Sequence, residues 1–250
     1  AVERFLSQGI QFVVTVIMAR FLLPSDYGMV GMLAIVLQLS QTLMDSGFTN
    51  ALIRYKERTE IDYSTVFFFN ILASLVIYFL IFFLAPYISW FYKIGQLVEI
   101  TRILSIVIVL NSFAIIPKTK LIIAVDFKTQ SKVSFIAALV SGIIGIWAAY
   151  LDFGVWALVG QTLVNGLLIV VLYAYFCRWK PLWIFSLKSF RLLFAFGSKL
   201  VLANILNTLY KNLYAIVIGK KFSSVDLGFY TRAEQFAQFP SYNLSAIILE

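Results

Sequence analysis

The 250-residue sequence has no histidine, a single cysteine and only twelve acidic residues. Without histidine, Ser-His-Asp and Cys-His catalysis and imidazole-ligated metal are excluded. Cys177 alone forms neither an internal disulfide nor a thiolate cluster, and its place near a helix end suits a small apolar filler. No G-x-x-x-x-G-K-[ST] phosphate loop occurs, so the chain carries no ATPase of its own. Any uphill movement it performs would draw on an H+ or Na+ gradient or on the fate of its substrate, and no cofactor is expected. Charge is scarce too: 13% of residues, against about 25% in a soluble domain.

What is abundant is apolar. Hydrophobic residues make up 61% of the chain and mean hydropathy is +0.91, more than one soluble core can hide. This material falls into about eight runs, near 1–23, 27–45, 63–85, 100–117, 133–151, 154–176, 190–218 and 227–250. Each is close to the roughly 17–25 residues that cross a bilayer. Backbone in lipid must satisfy its own hydrogen bonds, and the alternating strands of a barrel are absent. The predicted fold is therefore all-α: a polytopic helical membrane protein with about eight transmembrane helices. Pro24, Pro86, Pro117 and Pro181 are expected at helix boundaries, and Pro240 to kink the last run.

Lysine and arginine are unevenly shared between the links. Those after the second, fourth and sixth runs hold eleven, those after the odd-numbered runs four, which predicts a cytoplasmic N-terminal end. The net charge of +8 then reflects topology and a match to anionic headgroups. No basic run interleaved with aromatics points to nucleic acid. Trp90, Tyr92, Trp147, Tyr150, Trp179 and Trp183 fall at predicted helix ends, as interfacial anchors do.

Two stretches 200 residues apart look like copies of one unit. Met18-Ala-Arg-Phe-Leu-Leu-Pro-Ser-Asp-Tyr-Gly28 aligns with Ile218-Gly-Lys-Lys-Phe-Ser-Ser-Val-Asp-Leu-Gly228, pairing Arg20 with Lys220, Asp26 with Asp226 and Gly28 with Gly228. The helix before each turn carries a polar stripe at the same offset: Arg4, Ser7, Gln8 and Gln11 against Asn204, Asn207, Thr208 and Lys211. Internal repeats in an apolar chain are a mark of transporters, which move one bundle against its copy. On a helix each stripe covers about a third of the circumference. A charge at membrane depth costs at least about 2.5–3.5 kcal/mol, so such residues face water or the bundle interior. The stripes therefore suggest a hydrated cationic cavity, with Arg4, Lys199 and Lys211 as its charges. Arg4 alternatively snorkels to the interface, and Gln and Asn alternatively join helices. Gln38, Gln41, Asn70, Asn111, Gln161 and Asn165 read chiefly as such joints. Asp45 is a less favoured cation or proton carrier. Arg232 and Glu234 would pair with each other or meet a lobe interface.

Several runs carry a family resemblance: Ala1–Phe12, Met18–Gly28, Asp45–Arg54, Asp62-Tyr-Ser-Thr65, Phe196-Gly-Ser-Lys199, and Val217–Lys220 followed by Asp226-Leu-Gly-Phe-Tyr230. They resemble bacterial O-antigen and exopolysaccharide flippases (Wzx-like) of the multidrug/oligosaccharidyl-lipid/polysaccharide superfamily. The likeness extends over essentially the whole chain, although the turn motif alone is shared more widely. It implies two lobes of about six or seven helices around a central cavity that opens alternately to each side. The cargo would be an undecaprenyl-pyrophosphate-linked oligosaccharide, moved from the cytoplasmic to the periplasmic leaflet of the inner membrane. Residues 1–189 would form the N-terminal lobe and 190–250 begin the C-terminal one, within a protein of about 400 residues or more.

The resemblance assigns anion contacts to Arg4, Lys199 and Lys211. It assigns a sugar-facing polar lining to Ser7, Gln8, Gln11, Asn204, Asn207 and Thr208. Polymerase or export proteins would be partners. A drug or cation antiporter would instead want cavity carboxylates. A membrane-embedded glycan-assembly enzyme or scaffold would want paired carboxylates or histidine in a polar link.

Overall fold

The computed structural model describes the backbone of residues 2–45 and 47–248 and the side chains of residues 9–45 and 47–237. Among them are ten helices and no strand: α1 (Val2–Met18), α2 (Pro24–Asp45), α3 (Phe48–Arg54), α4 (Glu60–Tyr92), α5 (Leu97–Leu104), α6 (Ile106–Ile123), α7 (Phe127–Tyr150), α8 (Val155–Cys177), α9 (Leu187–Lys221) and α10 (Ser224–Ile248). Six segments are long and apolar enough to cross a bilayer: α2 with α3, α4, α5 with α6, α7, α8 and α9. Gly9–Met18 of α1 is a shorter apolar stretch. The chain is a polytopic all-α membrane protein. Its solvent is legible on α4, where 22% of the apolar window is buried and Leu72, Val76, Phe79 and Phe83 point outward. In water that face would drive association; in lipid it is the natural exterior.

Two prolines depart from expectation. Pro86 lies inside α4, which continues to Tyr92, and Pro117 lies inside α6, which continues to Ile123. A stop at either would leave more backbone unpaired in lipid than one missing N–H does, so the helices run on. Pro24 opens α2 and Pro181 sits in the α8–α9 link, as expected. Pro240 lies outside the described side chains. The α3 helix occupies a stretch expected to be a link, and the run near 100–117 is divided at Ser105 between α5 and α6.

The core divides along the bundle. Met44, Phe48, Leu52, Val66, Ile116 and Leu193 join α2, α3, α4, α6 and α9. Met32, Leu33, Ile100, Leu104, Val159 and Leu227 join α2, α5, α8 and α10. Val14, Met18, Tyr27, Ala149 and Leu158 tie α1 to α2, α7 and α8. The small residues of α7 serve packing: a Cβ on Gly142 would lie 2.5 Å from Val14 of α1.

The two ends of the bundle are built differently. At one end the α1–α2 and α9–α10 turns interlock. A Cβ on Gly28 would lie 1.7 Å from the Ser224 carbonyl oxygen, and one on Gly228 would lie 1.8 Å from that of Pro24. Pro24 and Ser224 are themselves repeat equivalents, so the contact is reciprocal, as across a two-fold axis. Lys220 Nζ donates to the Phe91 carbonyl at 2.5 Å and adds α4 to this end. At the other end Glu60 receives Lys120 Nζ and Trp179 Nε1, both at 2.7 Å. The α8–α9 link is stapled there to α4: Leu182 N–H donates to Ser64 Oγ (2.9 Å) and Ser186 N–H to Thr65 Oγ1 (3.1 Å).

Candidate functional site

Two polar chambers open between the helices and share Gln41, Ile115 and Lys118. The first, about 600 Å³, lies among α1, α2, α6, α7 and α8 and is lined by Gln11, Asn111, Gln130, Ser131, Ser134 and Asn165. The second, about 470 Å³, lies among α2, α3, α6 and α9 and adds Gln38, Thr42, Asp45, Thr49, Asn204 and Thr208. In both, amides, hydroxyls and charged groups stand on the walls beside apolar residues. Each uncompensated polar group in hydrocarbon is costly, so walls of this kind enclose water or a polar cargo.

Local hydrogen bonds hold the walls. Asn111 Nδ2 donates to Gln41 Oε1 at 3.2 Å and joins α6 to α2. Asn212 Nδ2 donates to Gln38 Oε1 at 2.8 Å and joins α9 to α2. Asp45 closes α2 and accepts from Thr49 Oγ1 at 2.7 Å. Thr208 Oγ1 is turned back to the Asn204 carbonyl at 2.8 Å. Of the joints expected from sequence, Gln38, Gln41 and Asn111 join helices and also front the chambers, whereas the amide of Asn70 is buried on α4 without a hydrogen-bond partner among the described residues.

The charges of the site are one lysine and one carboxylate. Lys118 borders both chambers, and among the described residues its ammonium has no ion pair or hydrogen bond. Asp45 borders the second. A helix ending at Pro117 would leave Lys118 in the link that follows; α6 instead continues to Ile123, and Lys118 borders the chambers from a segment long and apolar enough to span a bilayer. The signal that could have found it is a lysine within reach of Asn111 on one helix face, seven residues on, which is two turns.

Of the residues chosen from sequence, Gln11, Asn204 and Thr208 line the chambers. Asn207, Lys199 and Lys211 are exposed on α9 and border neither. Arg4, Ser7 and Gln8 belong to α1 but lie outside the described side chains. Arg232 of α10 meets α2, its guanidinium 3.3 Å from the centre of the Tyr27 ring. No group of three or more potential metal-ligating residues occurs among the described residues.

Comparison with known proteins gives this geometry a family. A family model described as polysaccharide biosynthesis protein matches residues 17–250. The teichuronic acid biosynthesis protein TuaB of Bacillus subtilis (strain 168) is 27% identical over 211 residues, 84% of this chain and 44% of the relative. The succinoglycan biosynthesis transport protein ExoT of Rhizobium meliloti (strain 1021) is 26% identical over 234 residues, 93% and 47% of the two chains. The lipopolysaccharide biosynthesis protein WzxC of Escherichia coli (strain K12) is 26% identical over 248 residues, 96% and 49%. No solved structure matches. The chain spans about half the length of these relatives. With a match over nearly all of its length, this polytopic chain belongs to the polysaccharide biosynthesis protein family.

Proposed function

We propose that the protein of which this chain forms part is a flippase for lipid-linked oligosaccharides. On this reading it moves an undecaprenyl-pyrophosphate-linked glycan from the cytoplasmic to the periplasmic leaflet of the bacterial inner membrane by alternating access. The observation that carries it is the pair of adjoining chambers, rich in amides and hydroxyls, that share Lys118. Amides and hydroxyls suit sugar hydroxyls, and an ammonium suits a phosphate as a point charge. Residues 1–189 form one lobe and α9 with α10 begins the second. The interlocked turns are the closed, periplasmic end, and the N-terminal end is cytoplasmic. Arg4, Lys199 and Lys211 add positive charge around the mouth as the lobes rearrange. Coupling to H+ or Na+, and hand-over to a polymerase or exporter, complete the proposal.

Asp45 favours one alternative. A carboxylate in a polar chamber suits a cationic cargo, as in a drug or cation antiporter of the same superfamily. The full-length gene in a strain lacking its own flippase separates the two. Surface polysaccharide is scored for wild type, Lys118→Ala and Lys118→Arg at equal membrane abundance. Restoration by wild type and Lys118→Arg, with at least a tenfold loss in Lys118→Ala, is expected; about 1.5–3 kcal/mol for a charged hydrogen bond sets that scale. Restoration by all three removes Lys118 from the site. Drug resistance without polysaccharide would favour the antiporter.

A further inference from the structure

A third recess stands apart from the chambers, at the end where α4 begins. It measures about 330 Å³ and lies between α3 and the first turns of α9. Its floor is apolar, made by Leu192, Leu193 and Phe196, and its rim carries Arg54, Tyr55 and Lys56. Arg54 is the last residue of α3, and its guanidinium is poised 4.7 Å from the centre of the Phe196 ring. Among the described residues, neither Arg54 nor Lys56 has an ion pair or a side-chain hydrogen bond. That contrasts with neighbouring basic residues: Arg58 donates to the Tyr55 carbonyl and Lys120 pairs with Glu60. Two uncompensated cations over an apolar floor therefore mark this recess.

The surface leading from the recess is apolar as well. On α9, exposed Leu192, Leu202, Leu206 and Leu213 fall within about 80° of one another and run the length of the helix, with Lys199 two turns above Leu192 on the same face. A basic rim at a helix end, an aromatic floor and a leucine track have the order of a lipid: phosphate, glycerol, acyl chain. We propose that this recess binds an anionic bilayer phospholipid, its phosphate held by Arg54 and Lys56 and an acyl chain laid along α9. Arg54 grips through its fork of N–H groups while its face stays on Phe196; Lys56 contributes charge. Because α9 leaves the stapled link at this point, the lipid would rest on the seam between α9 and the rest of the bundle.

The test reads lipid retention and is independent of the flippase reading. The full-length protein is purified in a neutral detergent and titrated with fluorescent phosphatidylglycerol or phosphatidylcholine of matched chains. Wild type is expected to hold phosphatidylglycerol at least about tenfold tighter. Arg54→Ala/Lys56→Ala should bring it to the phosphatidylcholine level, whereas Arg54→Lys/Lys56→Arg retains most of the preference and controls for folding. Lys93→Ala, at the opposite end, should change nothing. Equal phosphatidylglycerol binding by wild type and the double alanine variant overturns the proposal. So does displacement by millimolar inorganic phosphate, which would make the recess a free-anion site. Displacement by equimolar undecaprenyl phosphate but not by excess unlabelled phosphatidylglycerol would overturn the named occupant in favour of a polyprenyl carrier.

Discussion

The two copies of the helix-turn unit share a local design and differ in what surrounds it. In both, an aspartate in the first turn caps its own helix: Leu23 N–H donates to Asp26 Oδ2 and Ser223 N–H to Asp226 Oδ2, each at 3.0 Å. Asp26 is buried, and it also faces Gly154 and the Val155 N–H where α8 begins. Asp226 is exposed and takes its second bond from Ser223 Oγ at 2.6 Å. The same contrast recurs across the interface. Tyr27 of the first copy meets Arg232 of the second, while the equivalent pair, Leu227 and Met32, is apolar and part of the core. Capping follows from the turn and repeats with it; burial depends on neighbours that each copy meets separately.

The largest disturbance should come from the part that is symmetric. Gly28→Ala and Gly228→Ala each force a methyl into the opposing backbone and should cost about 1–3 kcal/mol. Their effects should be similar, and the double variant should lose less than their sum, because either one parts the same contact. Thermal unfolding of the full-length protein in detergent measures this, and strict additivity would show two separate contacts.

Next in size is the asymmetric pair. Arg232→Gln should cost about 1–2 kcal/mol through the lost cation–π contact, while Met32→Leu on the apolar side stays below about 1.5 kcal/mol. Tyr27→Phe should be close to neutral, since the buried hydroxyl has no partner to lose. An equally large loss in Tyr27→Phe would mean that the hydroxyl, not the ring, holds α2 to α10.

The smallest effect sharpens the comparison of caps. Asp26→Asn should cost about 1 kcal/mol, and Asp226→Asn should move the unfolding midpoint less, because its carboxylate is exposed and solvent can replace a lost bond. Equal shifts would mean that the α8 contact adds nothing to the first copy.

Much of this was legible in residues alone. Hydropathy located the spanning helices because lipid leaves the backbone no alternative to helix, and the repeat located the turns because Pro, Asp and Gly have narrow backbone uses. Gln41 with Asn111 was foreseeable as a joint between helices, and it is one. Of the two charges of the chambers, Asp45 is legible as a candidate in the sequence and Lys118 is not. Lys118 was counted among link residues because Pro117 breaks helices in water, where an unpaired carbonyl finds a solvent molecule; in lipid α6 had reason to continue. Lys211 shares its face of α9 with Asn204, about 20° apart at 100° per residue, but stands about 10 Å further along the helix and borders neither chamber; a stripe read from sequence fixes rotation, not where along the helix a chamber opens.

The staple between the α8–α9 link and α4 has a mechanical meaning. With Ser186 fixed to Thr65 at its base, α9 is a lever 35 residues long, about 52 Å from fulcrum to tip. A tilt of about 10° at that base would sweep the tip, and the α10 turn attached to it, through about 9 Å, while Leu193 beside the fulcrum would travel about 2 Å. Small adjustments among the first turns of α9 are thus multiplied roughly fivefold at the Gly28–Gly228 contact, where the backbones have no slack to absorb them.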